Sequence, residues 1–358
     1  MHKGENMELL KKLSELNGIG GHEKYVRKFM KQEFAKIVEK NHIFYDNIGS
    51  VIASMGTSGP KIMLAGHMDE IGMIVTKITD EGFIKFQTIG GWWSQVMLAQ
   101  QMNITTSEGR VILGVTGSKP PHILTAEERK NAAKIDDIYI DIGVETKAEA
   151  ENLGIKIGDM ITPAISFSVL ANQDFLLGKA WDNRIGCAIV LEVMKELKSA
   201  SLPNQIFGVG TVQEEVGLRG AKTASNLVKP DISIALDVGI AKDTPGTDGS
   251  SKMGKGPQIL LYDGGLVGHV GLRNLFLETA GKNEIPVQLD YLTGGATDAG
   301  AMHLAHHGSP AISLCIPSRY IHSHTSMISY KDFKNCVKLI VEVVKQLDQK
   351  MVDTITYE

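Results

Sequence analysis

Cysteine is scarce in this chain of 358 residues, and so are the segments that direct a protein into a membrane or out of a cell. The three cysteines, Cys187, Cys315 and Cys336, form no CxxC pair, and their odd number argues against a disulfide framework. The polar N-terminus "MHKGENMELL" lacks the apolar core of a signal peptide. The longest apolar run falls far short of the roughly 18 residues that a membrane span needs. We therefore expect a cytoplasmic protein with no membrane partner.

An excess of positive charge is also missing. The formal net charge is −4, which gives no support for a nucleic acid or an anionic membrane surface as a partner. Hydrophobic residues make up 43% of the chain and charged residues 22%, so the chain can bury a sizeable core. Its length suggests one large domain with a smaller one.

The middle of the chain has a different pattern from its flanks. Residues 72–168 hold short strand-like segments between glycine and aspartate turns, which predicts a small all-β barrel or sandwich. Residues 169–358 alternate apolar strands with helices, which predicts an α/β sheet covered by helices. We expect residues 1–71 to complete that α/β domain, with residues 1–6 as an extension before a helix over 7–16.

Histidine and carboxylate residues follow the apolar strands of the predicted sheet. Five such places stand out: His67 with Asp69, Asp182, Glu214 with Glu215, Asp237, and His322. Because open α/β sheets bind their ligands at the carboxyl ends of strands, we expect these side chains to meet at one edge. The adjacent pair in "TVQEEVG" requires the strand to end at or before Glu214 if both carboxylates serve one site.

These residue types predict a metal site. Imidazole and carboxylate ligands suit zinc, cobalt or manganese at a catalytic centre. Two histidines and three carboxylates are too many for one catalytic zinc ion, but they suffice for two ions that share one carboxylate. Asp69, two residues after His67, is placed to bind the far nitrogen of that ring and fix its orientation.

Each residue also has a structural interpretation. His67 alone is compatible with a buried structural histidine, and Asp182 or Asp298 with a helix N-cap. The segment "HSH" leaves His322 and His324 open as alternative ligands. We expect the surface of a helix for a further group of histidines: His303, His306 and His307.

The motifs together resemble those of the dinuclear metallo-aminopeptidases of peptidase family forty-two. This family includes the TET, glutamyl and deblocking aminopeptidases, and some members carry an older label as endoglucanase M. The resemblance covers nearly the whole chain and depends on seven segments: "AGHMDEIG", "WDNRIG", "VQEEVGLRGA", "ALDVG", "GKGP", "GGATDAG" and "RYIHS".

The resemblance implies a fold and a role for each site residue. The fold is a zinc-peptidase-like α/β/α catalytic domain with an inserted PDZ-like barrel, which helps to build a hollow tetrahedral dodecamer. The implied roles are as follows: His67 and Asp237 bind one metal, Glu215 and His322 bind the other, Asp182 bridges the two, Asp69 orients His67, and Glu214 is the general base. The family also implies a cis peptide bond after Asp182.

These roles imply an aminopeptidase that removes N-terminal residues from short peptides. Two divalent cations, zinc or cobalt first and manganese also compatible, activate a bridging water, and Glu214 accepts its proton. Arg319 is a candidate to meet an acidic side chain or the peptide carboxylate of the substrate.

Three alternatives remain at this point. A cellulase-type glycosidase also uses paired carboxylates, but it needs no histidine-rich metal cluster and its cleft is usually aromatic, whereas aromatic residues make up 6% of this chain. A deacylase of small amides would use the same dinuclear site. An inactive scaffold would have no need of a free base such as Glu214.

Overall fold

A mixed sheet of eight strands forms the centre of the larger part of the molecule in this computed structural model, which describes residues 3–357. In chain order the strands of the described residues are β1 Ile43–Tyr45, β2 Val51–Met55, β3 Lys61–His67, β4 Gly72–Ile78, β5 Ile84–Ile89, β6 Gln101–Thr105, β7 Val111–Gly117, β8 Tyr139–Asp141, β9 Met160–Pro163, β10 Ser168–Val169, β11 Phe175–Gly178, β12 Gln205–Thr211, β13 Ile232–Ile240, β14 Gln258–Leu260, β15 Tyr262–Asp263, β16 Leu266–Val267, β17 Gln288–Asp290, β18 Ala311–Ser318 and β19 Ser326–Ser329. The order of the strands in the large sheet is β1-β2-β12-β3-β13-β18-β14-β17.

Helices cover both faces of this sheet. In chain order the α-helices of the described residues are α1 Lys3–Glu15, α2 Lys24–Phe34, α3 Lys147–Asn152, α4 Trp181–Leu197, α5 Arg219–Val228, α6 Val270–Lys282, α7 Ala299–Met302, α8 Tyr330–Val344 and α9 Gln349–Tyr357. Of these, α3 belongs to the barrel region and not to the layers on the sheet. None of these helices is both long and apolar enough to cross a membrane.

The central strands β12, β3, β13 and β18 run parallel and are buried on both faces, which is why their sequences are almost continuously apolar. Their alternate residues feed two separate cores. Ile62 and Leu64 pack with the helices α1, α4 and α8, whereas Met63 and Ala65 pack with α5 and α7. The predicted α/β/α arrangement is confirmed.

The strands β4 to β9 form a closed barrel. In the chain this barrel comes after β3 and before β12, two neighbouring strands of the large sheet. The predicted β-barrel is confirmed, since the strand-like segments of this region form the six strands of the barrel. One short helix, α3, lies before β9 in addition to these strands. Thr146 caps this helix by accepting the amide of Glu149, and the sequence "KAEAEN" favours helix. We propose that the insert runs from residue 72 to residue 168, between catalytic segments 1–71 and 169–358.

The first helix begins earlier than the sequence predicts. It starts at Lys3, and Asn6 is fully buried, so most of residues 1–6 belongs to the folded body rather than to an extension. Met1 and His2 lie outside the described residues.

Candidate metal centre

The carboxyl edge of the sheet brings the predicted site residues together. His67 is the last residue of β3, and Glu214 and Glu215 follow the end of β12 at Thr211. Asp237 lies inside β13 rather than after it, and His322 follows β18. These strands are neighbours in the sheet, so their ends are neighbours at its edge.

Asp182 lies between the two histidines. Its Oδ1 is 3.0 Å from Nε2 of His67, and its Oδ2 is 3.3 Å from Nε2 of His322. Each histidine has a second carboxylate nearby. Nε2 of His67 is 3.9 Å from Asp237, and Nε2 of His322 is 3.7 Å from Glu215. Two three-residue groups with donor atoms within 4.8 Å of one another therefore share Asp182.

The start of α4 explains why Asp182 can face both histidines. Asp182 and Asn183 have non-helical backbone angles, and the peptide bond between them is cis, as the resemblance implies. The alternative that Asp182 caps a helix is wrong. Asn183 does so instead, since its Oδ1 accepts the amide of Gly186 while its Nδ2 donates to the carbonyl of Leu236.

The main-chain carbonyl of Asp69 makes the shorter contact with the ring of His67, and the carboxylate of Asp69 makes the longer one. Nδ1 of His67 lies 2.9 Å from the carbonyl oxygen of Asp69 and 3.5 Å from the carboxylate. The expected carboxylate contact is therefore the longer of the two. The Asp69 carboxylate instead accepts the amides of Glu214 and Glu215, at 3.0 and 3.1 Å.

Glu23 is a site residue that the sequence did not single out. It is buried, and its Oε1 accepts the amides of Gly21 and Gln213 at 2.9 and 3.0 Å. Gln213 has φ +57°, so the chain turns sharply at this point, directly before Glu214. The glycines of "NGIGGHE" were the available signal, because a carboxylate after such a loop can reach a distant backbone.

A buried ionic cluster lies behind the site and was also missed. Glu70 accepts hydrogen bonds from Nζ of Lys179 at 2.6 and 2.8 Å and from Arg184 at 3.1 Å. Arg184 further donates to the carbonyls of Met68, Leu13, Leu16 and Gly18. The cluster therefore fixes the loop after His67 to the start of α4 and to the end of α1.

The remaining candidates lie outside the two groups. The structure places His322, not His324, beside Asp182. Burial lowers the pKa of His324 to about 4.

Asp298 occupies the N-cap position of α7 but makes no capping bond. Its carboxylate instead accepts a hydrogen bond from the hydroxyl of Thr211. His303 and His306 bind backbone carbonyls, of Ala299 and Asn226.

The electrostatics of the site fit the binding of cations. Burial and the charge of Asp182 raise the pKa of Glu215 to about 8, and burial also raises the pKa values of Asp237 and Glu214 well above the usual range. Oε1 of Glu215 is buried without a hydrogen-bond partner. Burial lowers the pKa of His67, but the carboxylates of Glu214 and Asp182 outweigh it and raise that pKa. Carboxylates that lack compensation in this way suit divalent metal ions.

A cavity of about 480 Å³ opens beside these donors. Its lining includes the six candidate residues His67, Asp182, Glu214, Glu215, Asp237 and His322. Apolar side chains also line it: Leu218, Val238, Ile240, Leu292, Ala296 and Ile321. The arrangement places a set of polar ligands next to an apolar wall, as expected of a small-molecule site.

Comparisons with known proteins agree with the sequence motifs. Residues 49–339 match the family model described as M42 glutamyl aminopeptidase. The chain is 39% identical to the putative aminopeptidase FrvX of Escherichia coli, over 94% of each protein. It is 35% identical to the glutamyl aminopeptidase of Lactococcus lactis, over 97% of this chain and 98% of that protein.

Solved structures give the same result. A TET aminopeptidase from a marine-sediment Thaumarchaeota archaeon superposes with a TM-score of 0.95 at 40% identity, covering 98% of this chain and 99% of that one. The TET1 peptidase of Pyrococcus horikoshii gives a TM-score of 0.86 at 34% identity, covering 96% of this chain and 100% of that one. That peptidase can assemble into a tetrahedron or a large octahedral shell. The chain belongs to the M42 family of glutamyl aminopeptidases.

Proposed function

We propose that this aminopeptidase removes N-terminal residues from short peptides at a dinuclear metal centre, with Glu214 as the general base. Its family membership and its similarity to named aminopeptidases make it a metal-dependent aminopeptidase. The number of metals, their identity and the residue roles are our proposal. The observation that carries it is the position of Asp182, whose two carboxylate oxygens face two different histidines.

In the proposed arrangement His67 and Asp237 would hold one cation, Glu215 and His322 would hold the other, and Asp182 would be shared by both. Zinc and cobalt suit this donor set, and manganese is compatible with it. Such ions lower the pKa of a water molecule and polarise the peptide carbonyl.

Glu214 belongs to neither three-residue group, although its Oε2 lies 3.7 Å from Nε2 of His67. Its carboxylate lines the cavity, so it is free to accept a proton from the attacking water and to pass it to the leaving amine. Asp69 supports both tasks, because it orients His67 and holds the amides of Glu214 and Glu215.

The direct test replaces the base and removes the metals. Glu214→Gln is nearly isosteric, so we expect metal content to be retained while the hydrolysis of aminoacyl-anilides falls by about 100-fold or more. Wild-type hydrolysis should also stop after chelation and return with cobalt or zinc. Loss of metal from Glu214→Gln would instead make Glu214 a ligand.

The same protein distinguishes the alternative activities. A glycosidase would cleave carboxymethyl-cellulose in the presence of a chelator, and the family assignment does not favour it. A deacylase of small amides would share the metal dependence, but it would hydrolyse N-acyl amino acids faster than peptides with a free amino group.

Self-association is the second part of the proposal. Strand β7 of the barrel turns Val111, Leu113 and Val115 outward, each at least 42% exposed, while its alternate residues are buried. Such an apolar stripe favours contact with another copy of this chain. The assembly described for the Pyrococcus relative supports a tetrahedral dodecamer, whose hollow interior would admit short peptides.

A cytoplasmic location fits the cysteines. Cys187, Cys315 and Cys336 are all buried free thiols. No disulfide links them, as expected in a reducing compartment.

A further inference from the structure

The uncharged residues that line the cavity beside the proposed metal centre point to a class of substrate side chain. We infer that this enzyme prefers peptides with an uncharged, apolar N-terminal residue and discriminates against both acidic and basic ones. The inference rests on the proposed function, because it treats the cavity as the site of that residue, and it adds a specificity that the family name does not give.

The charges in the cavity belong to one set of residues. Among the described residues that line it, every ionisable side chain belongs to the proposed metal centre. The rest of the lining, which we call the apolar wall, consists of glycines and uncharged side chains, including Val238, Ile240 and Leu292. Thr297 is polar, but its hydroxyl is already bonded to Asp263 and Ser313. The wall therefore offers a substrate side chain mainly apolar surface.

An acidic side chain would find no lysine or arginine among the described residues that line this cavity. Arg319, named from the sequence as a candidate partner, binds Asp243 through two hydrogen bonds of 2.8 and 2.7 Å. Lys242 binds the carboxylate of Asp290. Neither residue lines the cavity. Two divalent ions at the proposed centre would be balanced by the four carboxylates that line the cavity, those of Asp182, Glu214, Glu215 and Asp237. A substrate carboxylate held there would therefore be buried without a free counter-charge.

One further basic residue, Arg219, is adjacent in the chain to a residue that lines the cavity. Arg219 follows Leu218, and its Nη1 donates to Oε1 of Gln213 at 3.1 Å. Its partner is neutral, so the Arg219→Ala variant belongs in the test. We expect this variant to keep the selectivity of the wild type, because Arg219 does not line the cavity.

A basic side chain would lack a free carboxylate. The acids that line the cavity are those assigned to the metals or to proton transfer, and the apolar wall adds none. A lysine ammonium would lose its hydration there without gaining a free carboxylate, because the acids of the proposed centre would be committed to the metal ions and to proton transfer. An aliphatic side chain instead gains from burial against the wall.

The first experiment compares kcat/KM for the p-nitroanilides of leucine, glutamate and lysine at saturating cobalt or zinc. We expect leucine to exceed each charged substrate by about 100-fold or more, since an unpaired charge in a site is rejected more strongly than a missing methylene. A preference for glutamate or lysine would overturn the inference while leaving the aminopeptidase assignment intact. Failure to cleave any of the three would instead contradict the proposed function.

Variant Gly294→Lys provides a gain-of-function test. Gly294 lines the cavity, has an ordinary φ, and a Cβ there would meet nothing within 4 Å, so a side chain fits without strain. Gly281 in α6 is equally open, exposed and outside the cavity, and Gly281→Lys is the matched control.

We expect Gly294→Lys to raise the ratio of kcat/KM for glutamate over leucine by about 10-fold or more. Gly281→Lys and Arg219→Ala should leave that ratio unchanged. An unchanged ratio of kcat/KM in Gly294→Lys would place the binding site for the substrate side chain elsewhere. The same conclusion would follow if Arg219→Ala lowered kcat/KM for the glutamate substrate but not for the leucine substrate. Calorimetric titration of metal-loaded Glu214→Gln with free leucine, glutamate and lysine measures the same preference without turnover, and tighter binding of either charged amino acid would overturn the inference.

Discussion

Glu23 and Asp69 hold the backbone of the catalytic turn from two directions. Glu23 accepts the amide of Gln213, and Asp69 accepts those of Glu214 and Glu215. Three successive amides are thus bound by two buried carboxylates. Since these amides belong to the proposed base and one proposed ligand, the two acids position side chains that they do not touch.

Replacement of Glu23 should therefore affect turnover more than substrate binding. We expect Glu23→Ala to lower kcat by about 10- to 100-fold with little change in KM, because the base is displaced from its working position. Glu23→Gln should retain most activity, since one amide oxygen can accept the same two backbone N–H groups. Equal losses in both variants would show that the charge, not the hydrogen bonds, is required.

Glu23 also gives a pH dependence to the stability of the metal-free protein. Burial and the neighbouring charge of Asp69 raise the pKa of Glu23 to about 7, compared with 4.5 in the unfolded chain. The folded state therefore binds this proton more tightly, and the free energy of unfolding falls as the pH rises from about 4.5 to about 7. The contribution is on the order of 3 kcal/mol.

Urea denaturation in the presence of a chelator at pH 5 and pH 8 measures this effect. Glu23→Gln removes the titration, so the wild type should lose more stability than the variant between these two values. A parallel loss in both proteins would assign the pH dependence to other groups.

The residues of the proposed metal centre were easier to predict than those that contact them. His67, Asp182, Glu214, Glu215, Asp237 and His322 are polar side chains at or near strand ends or a helix start, and they do lie together. Glu23 has no such signal, because its role depends on a contact with Gln213, 190 residues away in the chain. The orientation of His67 by a carbonyl was equally hidden, since spacing alone does not separate a main-chain acceptor from a carboxylate.

At the scale of elements, the cluster of Glu70, Lys179 and Arg184 connects α1, the end of β3 and the start of α4. Arg184 binds the carbonyl of Leu16 at the end of α1 and that of Met68 after β3. The three side chains are at most 2% exposed. One anion thus compensates two buried cations next to the loop that follows His67.

Loss of the anion should be costly. Glu70→Ala leaves two buried cations unpaired, and we expect it to lower the free energy of unfolding by about 3–5 kcal/mol. Glu342→Ala breaks an exposed pair with Lys345 and serves as the control, with a change within about 1 kcal/mol. Denaturant titration compares the two. A small effect of Glu70→Ala would mean that water or movement of Lys179 compensates for the lost charge.

Among the elements, strands were predicted better than helix ends. The apolar runs of β3, β12, β13 and β18 require burial on both faces, and the six barrel segments carry clear turn residues. Helix α1 starts at Lys3 because Asn6 packs into the interior, and α3 forms because Thr146 caps it. Both results depend on local contacts that a hydrophobic pattern does not record.

At the scale of the whole molecule, the proposed metal site is complete within one chain, whereas the stripe on β7 is not covered by it. We therefore expect Leu113→Lys to reduce the size of the assembly in sedimentation velocity, because a charge in an apolar contact is costly. Leu304→Lys, at a residue that is 72% exposed outside the barrel, should keep the wild-type size.

Leucine anilide hydrolysis at saturating metal should survive in Leu113→Lys, because every proposed ligand comes from the same subunit. If the Leu113→Lys variant forms an assembly of the same size as the wild type, the subunits associate through another surface.

One contact links these two properties of the molecule. Nδ1 of His322 lies 2.9 Å from the carbonyl oxygen of Gly91, which belongs to the barrel insert, 231 residues earlier in the chain. Subunit association that shifts the insert would therefore alter the affinity for the metal at His322, and metal binding would alter association by the same factor. Under this linkage, a lower metal concentration and a lower protein concentration would have the same effect. Each would favour smaller assemblies with less bound metal.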